Sequence, residues 1–169
     1  LRGKRDGQGT LTFAGGNATF AGAWRDDKMN GHGVWTADDG SRYEGNWVDG
    51  FQQGRGTMTW ANGNRYAGDW ERGRRSGKGV FTWAGGDRYE GDFGNDLFNG
   101  RGVFTSVQGD RYEGDWMNGK QHGKGTYVWA NGIRYEGEWA NGNMNGYGTC
   151  WFPNGAVQRG RWVNGKFAG

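Results

Sequence analysis

The side chains of this 169-residue chain that could do chemistry are few and scattered. Two histidines, His32 and His122, and one cysteine, Cys150, stand in different segments, the histidines in what read as hairpin loops. A metal site needs three or four such ligands converging, so none is expected here. Cys150 occupies the place that Phe104 and Tyr127 take in neighbouring segments, which makes it a small buried apolar residue rather than a nucleophile. A lone cysteine excludes an internal disulfide and gives no sign of an oxidising compartment. Carboxylates are more numerous but recur in one frame, Arg-x-Glu-x-Asp, as at Arg111, Glu113 and Asp115. Beside arginine in unit after unit, they read as cross-strand ion pairs, not as an acid–base dyad. The Gly-x-Gly pairs open strands rather than helices and are not phosphate loops. The residues point to no catalytic group, no metal and no cofactor, and the chain reads as no enzyme.

What positions these residues is a repeat. Arg-Tyr-Glu-Gly-Asp-Trp is intact at Arg111 to Trp116 and nearly so at Arg42 to Trp47, Arg65 to Trp70, Arg88 to Phe93 and Arg134 to Trp139. Its opening aromatic falls at Phe20, Tyr43, Tyr66, Tyr89, Tyr112 and Tyr135, always 23 residues apart. Such self-similarity outranks every local motif. Six repeats therefore start at these positions, a degenerate half repeat fills 1–19, and a partial one fills 158–169. No composition shift interrupts them, so 1–169 reads as a single array. Leu1 in place of Met and the repeat that stops midway suggest a piece of a longer chain.

Composition alone points two ways. Glycine makes up 38 residues and aliphatic side chains are scarce, which favours disorder, yet there are 11 Trp, 7 Tyr and 9 Phe. Their strict spacing decides for a folded chain with an aromatic core, in which each unit stacks on its neighbours. The net charge of +3, from 21 basic and 18 acidic residues, favours an anionic partner only weakly. No apolar run reaches transmembrane length, and no signal peptide opens the chain.

Within a repeat the pattern has period 2, the mark of strands. Tyr43, Gly45 and Trp47 fall on one face, and Arg42, Glu44 and Asn46 on the other. Gly54, Gly56, Met58 and Trp60 continue the first face after a polar loop, Val48 to Gln53. Ala61-Asn62-Gly63 is a tight turn. Read as three residues, it sets Met58 opposite Tyr66 and gathers the aromatics on one side; a two-residue turn would invert the second strand. Each repeat is thus two antiparallel strands, roughly 10 Å along the array. Gly45 and Gly56 would face each other. Strand glycine marks close approach by something bulky, either the neighbouring rings or another chain in a glycine-floored groove.

Tyr-Glu-Gly-x-Trp, then Gly-x-Gly, then a turn glycine, resembles the MORN (membrane occupation and recognition nexus) repeat. The resemblance covers 20–169 almost completely and 1–19 loosely. It implies an all-β fold, an elongated, twisted antiparallel meander of successive β-hairpins. It also implies use as a scaffold, an oligomerisation or partner-binding module, or a phospholipid-binding one. Repeats of this kind accompany lipid kinases, lysine methyltransferases, membrane-junction proteins and cytoskeletal or ciliary components. Departures from the pattern are Ala21 and Ala67 for the Glu, Phe93 for the Trp, Asp27 and Asp96 for a loop Gly, and Gln158 for the Tyr.

Three functions compete on the residues. A single sheet with one aromatic face leaves that face uncovered, and large apolar patches mark interaction sites. A partner helix or extended segment, or another copy of the chain, would lie along Trp24, Tyr43, Trp47, Tyr66, Trp70, Tyr89, Phe93, Tyr112, Trp116, Tyr135 and Trp139. Unpaired strand edges at both ends offer a homodimer as well. A phospholipid-binding alternative rests on the basic loop residues Arg72, Arg74, Arg75 and Lys78, with Lys120 and Lys124 further on, which could meet anionic headgroups. Nucleic acid, stacked on interleaved arginines and aromatics, is disfavoured by the acidic residues in the same frame. The expectation is a non-catalytic protein-interaction scaffold, cytoplasmic and set against cytoskeleton or membrane.

Overall fold

The computed structural model describes residues 3–169, and those residues form fifteen strands and no helix. The first of two compact units extends to Ala84 and the second runs from Gly85 to Gly169. The first holds β1 (Gly7–Thr12), β2 (Ala18–Arg25), β3 (Lys28–Ala37), β4 (Arg42–Val48), β5 (Phe51–Thr59), β6 (Arg65–Glu71) and β7 (Arg74–Thr82). The second holds β8 (Arg88–Gly94), β9 (Leu97–Thr105), β10 (Arg111–Met117), β11 (Lys120–Val128), β12 (Arg134–Ala140), β13 (Asn143–Trp151), β14 (Val157–Val163) and the short β15 (Lys166–Phe167). Inside each unit every strand pairs antiparallel with the next in sequence, so both are meanders of consecutive hairpins.

The register agrees with the three-residue turn: Met58 pairs with Tyr66, and Gly45 with Gly56. The other hairpin end is tighter than its polar composition suggested. Val48 pairs with Phe51 across only Asp49 and Gly50, and both turn residues have positive φ, 49° and 87°. That is a primed turn, whose twist matches the strands it joins. The residues read as a loop, Phe51 to Gln53, belong to β5, and a bulge between Gly45 and Trp47 absorbs two surplus residues of β5. For the same reason His32 and His122 stand within β3 and β11 rather than in loops, and Arg74, Arg75 and Lys78 are residues of β7.

The core is a chain of rings on one face. Phe20, Tyr43, Tyr66, Tyr89, Tyr112 and Tyr135 are 0% exposed. Each packs edge-on against the ring four residues later and, inside a unit, against the equivalent ring of the next repeat, with centroids 5.1–5.4 Å apart and planes at 80–89°. Such pairs contribute about 0.5–1.5 kcal/mol each beyond burial. Under each Tyr ring lies a glycine pair with no side chain to push it up. A Cβ built on Gly125 collides with the Tyr112 ring, and one on Gly114 collides with the Gly125 backbone.

Gly125→Ala should therefore cost about 1–3 kcal/mol, through overpacking, in urea denaturation of the full chain. Gly85→Ala, where a Cβ meets open space, should be neutral or stabilise by up to about 1 kcal/mol. Equal effects of the two would refute the glycine-floor account.

Candidate functional site

Every residue proposed for an aromatic docking row is interior. Trp24, Trp47, Trp70, Phe93, Trp116 and Trp139 are 5–8% exposed, and the tyrosines of the row are wholly covered. The premise that one sheet cannot cover its own aromatic face fails, because inside each unit rings such as Tyr43 and Tyr112 meet rings of their own repeat and of the next. The glycine floor is filled by the chain's own tyrosines, not left as a groove. Polar atoms are satisfied as well. Trp47, Trp70, Trp116, Trp139 and Trp162 donate their indole N–H to the carbonyl of the glycine fourteen residues earlier, and Trp24 to that of Gly9, fifteen earlier, at 3.1–3.3 Å. Phe93 has no such donor. The phenol O–H groups of Tyr43, Tyr66, Tyr89, Tyr112 and Tyr135 donate to the backbone carbonyl three residues on, at 2.7–3.1 Å. These eleven residues build the scaffold.

Accessible aromatic surface lies in a second row, on the outgoing strands, that the sequence reading passed over. In the first unit Trp60 and Trp83 are half-buried on its aromatic face, and in the second Phe104, Tyr127 and Trp129 are half-buried on its own. Phe81, itself buried, links Trp60 (5.6 Å) and Trp83 (4.8 Å); Tyr127 lies 4.4 Å from Trp129. Among the described residues no hydrogen bond engages the indole N–H of Trp60 or Trp129. The sequence held one signal: Trp or Phe recurs two residues after the position of Met58 and before the turn glycine.

The outer face carries the charges. Arg42–Glu44, Arg88–Glu90, Arg111–Glu113 and Arg134–Glu136 are ion pairs of 2.7–2.8 Å two residues apart on one strand. The Asp of the frame reaches across strands, as in Arg55–Asp69 (3.0 Å) and Arg101–Asp115 (3.2 Å). All are exposed, and such pairs contribute about 0–1 kcal/mol each. The aspartates have a second task. Asp69, Asp92 and Asp115 accept the backbone N–H of Lys78, Arg101 and Lys124 at 2.9–3.0 Å, and Glu138 that of Tyr147. A carboxylate thus clamps each of these bulges, facing a glycine (Gly77, Gly100, Gly123 or Gly146) in the left-handed region.

The six basic residues proposed for lipid are divided between the units, Arg72, Arg74, Arg75 and Lys78 in the first and Lys120 and Lys124 in the second. Arg75 lies over the rings of Trp60, Tyr66 and Phe81, 5.4–5.9 Å from their centroids. Lys124 lines a hollow of the outer face with Arg101, Glu113, Glu136 and Glu138. Arg72 is at a hairpin tip with φ 46°, Arg74 begins the strand after it, and Lys120 and Lys78 stand on β11 and β7. Among the described residues no group of three His, Cys, Asp or Glu could hold a metal ion. Cys150 is 3% exposed, and burial pushes its thiol pKa up.

The repeat geometry agrees with what the chain resembles. The MORN repeat matches residues 1–18, 20–42, 43–65, 66–88, 89–111, 112–134 and 135–157. The chain belongs to the MORN-repeat family. The matched segments begin at the same aromatics that open the hairpins, from Phe20 to Tyr135. No curated relative matches this MORN array. Among solved structures, the SAS-4 (dCPAP) TCP domain in complex with a proline-rich motif of Ana2 (dSTIL), from Drosophila melanogaster, is similar at a TM-score of 0.49 and 13% identity, covering 90% of this chain and 88% of that one. The TCP10c domain of Drosophila melanogaster Sas-4 gives a TM-score of 0.45 and 12% identity, covering 89% and 96%.

Burial raises the pKa of the core tyrosines; Tyr127 and Tyr135 are pushed up to about 12, and at Tyr127 the neighbouring Asp110 carboxylate adds to the effect. A phenol whose pKa is raised by folding stabilises the native state below its unfolded value and ceases to as pH climbs through the folded one. The array should therefore hold at neutral pH and lose stability from about pH 10 upward. Tyrosinate absorbance at 295 nm should rise together with loss of the strand signal in circular dichroism. Most of the ionisation preceding any structural loss would contradict this.

Proposed function

We propose that this MORN array is a non-catalytic protein-interaction scaffold whose half-buried aromatic row takes a partner helix or extended segment. The observation that carries the reading is the unlike fate of like residues on one face. The motif tryptophans are buried with their N–H groups bonded, whereas Trp60 and Trp129 keep exposed ring surface and an indole donor. Amphipathic rings with low conformational freedom are the groups that anchor protein interfaces. A second copy of the chain is the other occupant, and cytoskeletal or membrane assemblies are the setting the reading anticipates.

Selection of peptides on the intact chain from a random display library tests it. Enriched peptides should bind about tenfold or more weakly to Trp60→Ala/Trp83→Ala than to the parent, a loss of about 1.4 kcal/mol, with the strand signal in circular dichroism retained and the melting temperature lowered by the lost contacts with Phe81. Equal binding to both proteins, or no enrichment, would remove the reading. Light scattering after size exclusion distinguishes self-association, since a dimer that the same variant dissolves makes the chain its own partner.

An anionic-membrane reading has one observation in its favour: Arg72 and Arg74 flank a hairpin tip, Gly73, beside the exposed Phe51. Salt-sensitive pelleting with anionic liposomes, lost in Arg72→Ala/Arg74→Ala, supports it; absence of pelleting dismisses it.

A further inference from the structure

We infer that the outer face of the first unit has a second docking surface, for a carboxylate-bearing protein segment. Four bulges are closed by a carboxylate of the chain, each accepting the N–H of the residue nine positions later. Two bulges of the first unit lack one. Ala23 and Asn46 stand where Asp69, Asp92, Asp115 and Glu138 stand, and the equivalent amides are those of His32 and Arg55. No side-chain carboxylate meets either amide among the described residues. A hollow opens beside these amides, lined by Arg25, Asn30, Gly31, Asn46, Gln53 and Gly54 together with the apolar Trp24, Trp47 and Val48.

The surrounding charge fits an acidic occupant. Residues 1–84 carry 12 of the 21 basic and 9 of the 18 acidic residues, so 85–169 carry nine of each and the net +3 belongs to the first unit. Arg25 bonds the neutral Asn30 amide at 3.4 Å. The nearby acids are engaged elsewhere: Asp26 with Lys4, Asp27 with Arg5, and Asp49 with the Asn30 Nδ2. Ala21 and Ala67 remove two more carboxylates from this face, and Ala67 leaves Arg65 without the Glu that partners its counterparts. Backbone amides in a bulge together with arginine form an anion-binding concavity.

Spacing adds specificity. The two sites are one hairpin apart, two strand spacings or about 9.6 Å, which an extended polyproline-II segment, at about 3.1 Å per residue and three residues per turn, covers in about three residues with both side chains on one side. The occupant is therefore an extended segment with acidic residues three apart, a surface separate from the aromatic row of the opposite face.

The probe is a fluorescein-labelled Gly/Ser peptide with Glu at every third position, against its Gln counterpart, read by anisotropy on the full chain at low salt. The Glu peptide should bind and the Gln peptide should not. Ala23→Asp/Asn46→Asp, which supplies the missing carboxylates in cis, should weaken binding about tenfold and raise the melting temperature. Ala23→Ser should bind as the parent does, and Trp60→Ala/Trp83→Ala should leave this binding intact even where it abolishes the other. Equal binding by the double-Asp variant, no binding of the Glu peptide, or retention of duplex DNA or anionic vesicles in its stead would overturn the inference.

Discussion

Everything in this fold depends on a tyrosine ring lying flat on two glycines. The ring can reach the sheet only because neither strand beneath it has a side chain, as at Tyr112 over Gly114 and Gly125. Once there, it presents edges to two rings, its own repeat's Trp116 and the next repeat's Trp139. Those indoles bond glycine carbonyls fourteen residues back, Trp116 to Gly102 and Trp139 to Gly125, so each aromatic pair also ties one repeat to the one before. The period cannot drift: inserting one residue would place a charged side chain under the ring and the ring in water. A single sheet thereby supplies its own core, at the cost of strand glycine that would otherwise weaken it.

This arrangement divides labour between residues of the same type. Tryptophan four residues after the tyrosine is structural because its N–H meets a carbonyl and its faces meet two rings. Tryptophan before the turn, as at Trp60 and Trp129, has a ring on one side only. The cation over Trp60, Arg75, does what Phe98 does in the second unit, where it stacks at 3.9 Å on Tyr89. The same position thus caps the tyrosine with either a guanidinium or a phenyl ring, which explains why a basic-looking stretch of sequence is in part core.

The repeat, its boundaries, the strand pairing and the facing glycines were legible because period 2 and a fixed 23-residue step leave one register that segregates aromatics from charges. The accessible site was not. Period tells which face Trp70 is on but not whether neighbouring repeats cover it, and coverage depends on edge-to-face contacts between residues 27 apart, such as Tyr43 and Trp70. The short turn at Asp49-Gly50 was in plain view as a primed-turn dipeptide, yet the bulge at Gly54 displaced the strand start and made it read as a longer loop. Ion pairing was legible as chemistry and misassigned in geometry, since Glu44 turns to Arg42 on its own strand.

The departures from the repeat are most informative when compared with the positions that keep it. Asp69, Asp92, Asp115 and Glu138 define a job, to hold a bulge amide, that cannot be seen in any one copy. Against that standard Ala23 and Asn46 are not mere wear. Removing a carboxylate from one bulge leaves the backbone geometry that favoured it, because the glycines at Gly31 (φ 104°) and Gly54 (φ 80°) keep their left-handed conformation. An array can therefore change its surface chemistry one repeat at a time while the tyrosine–glycine stack beneath stays constant. That separation leaves the surface free to vary in an architecture whose core has so little sequence freedom.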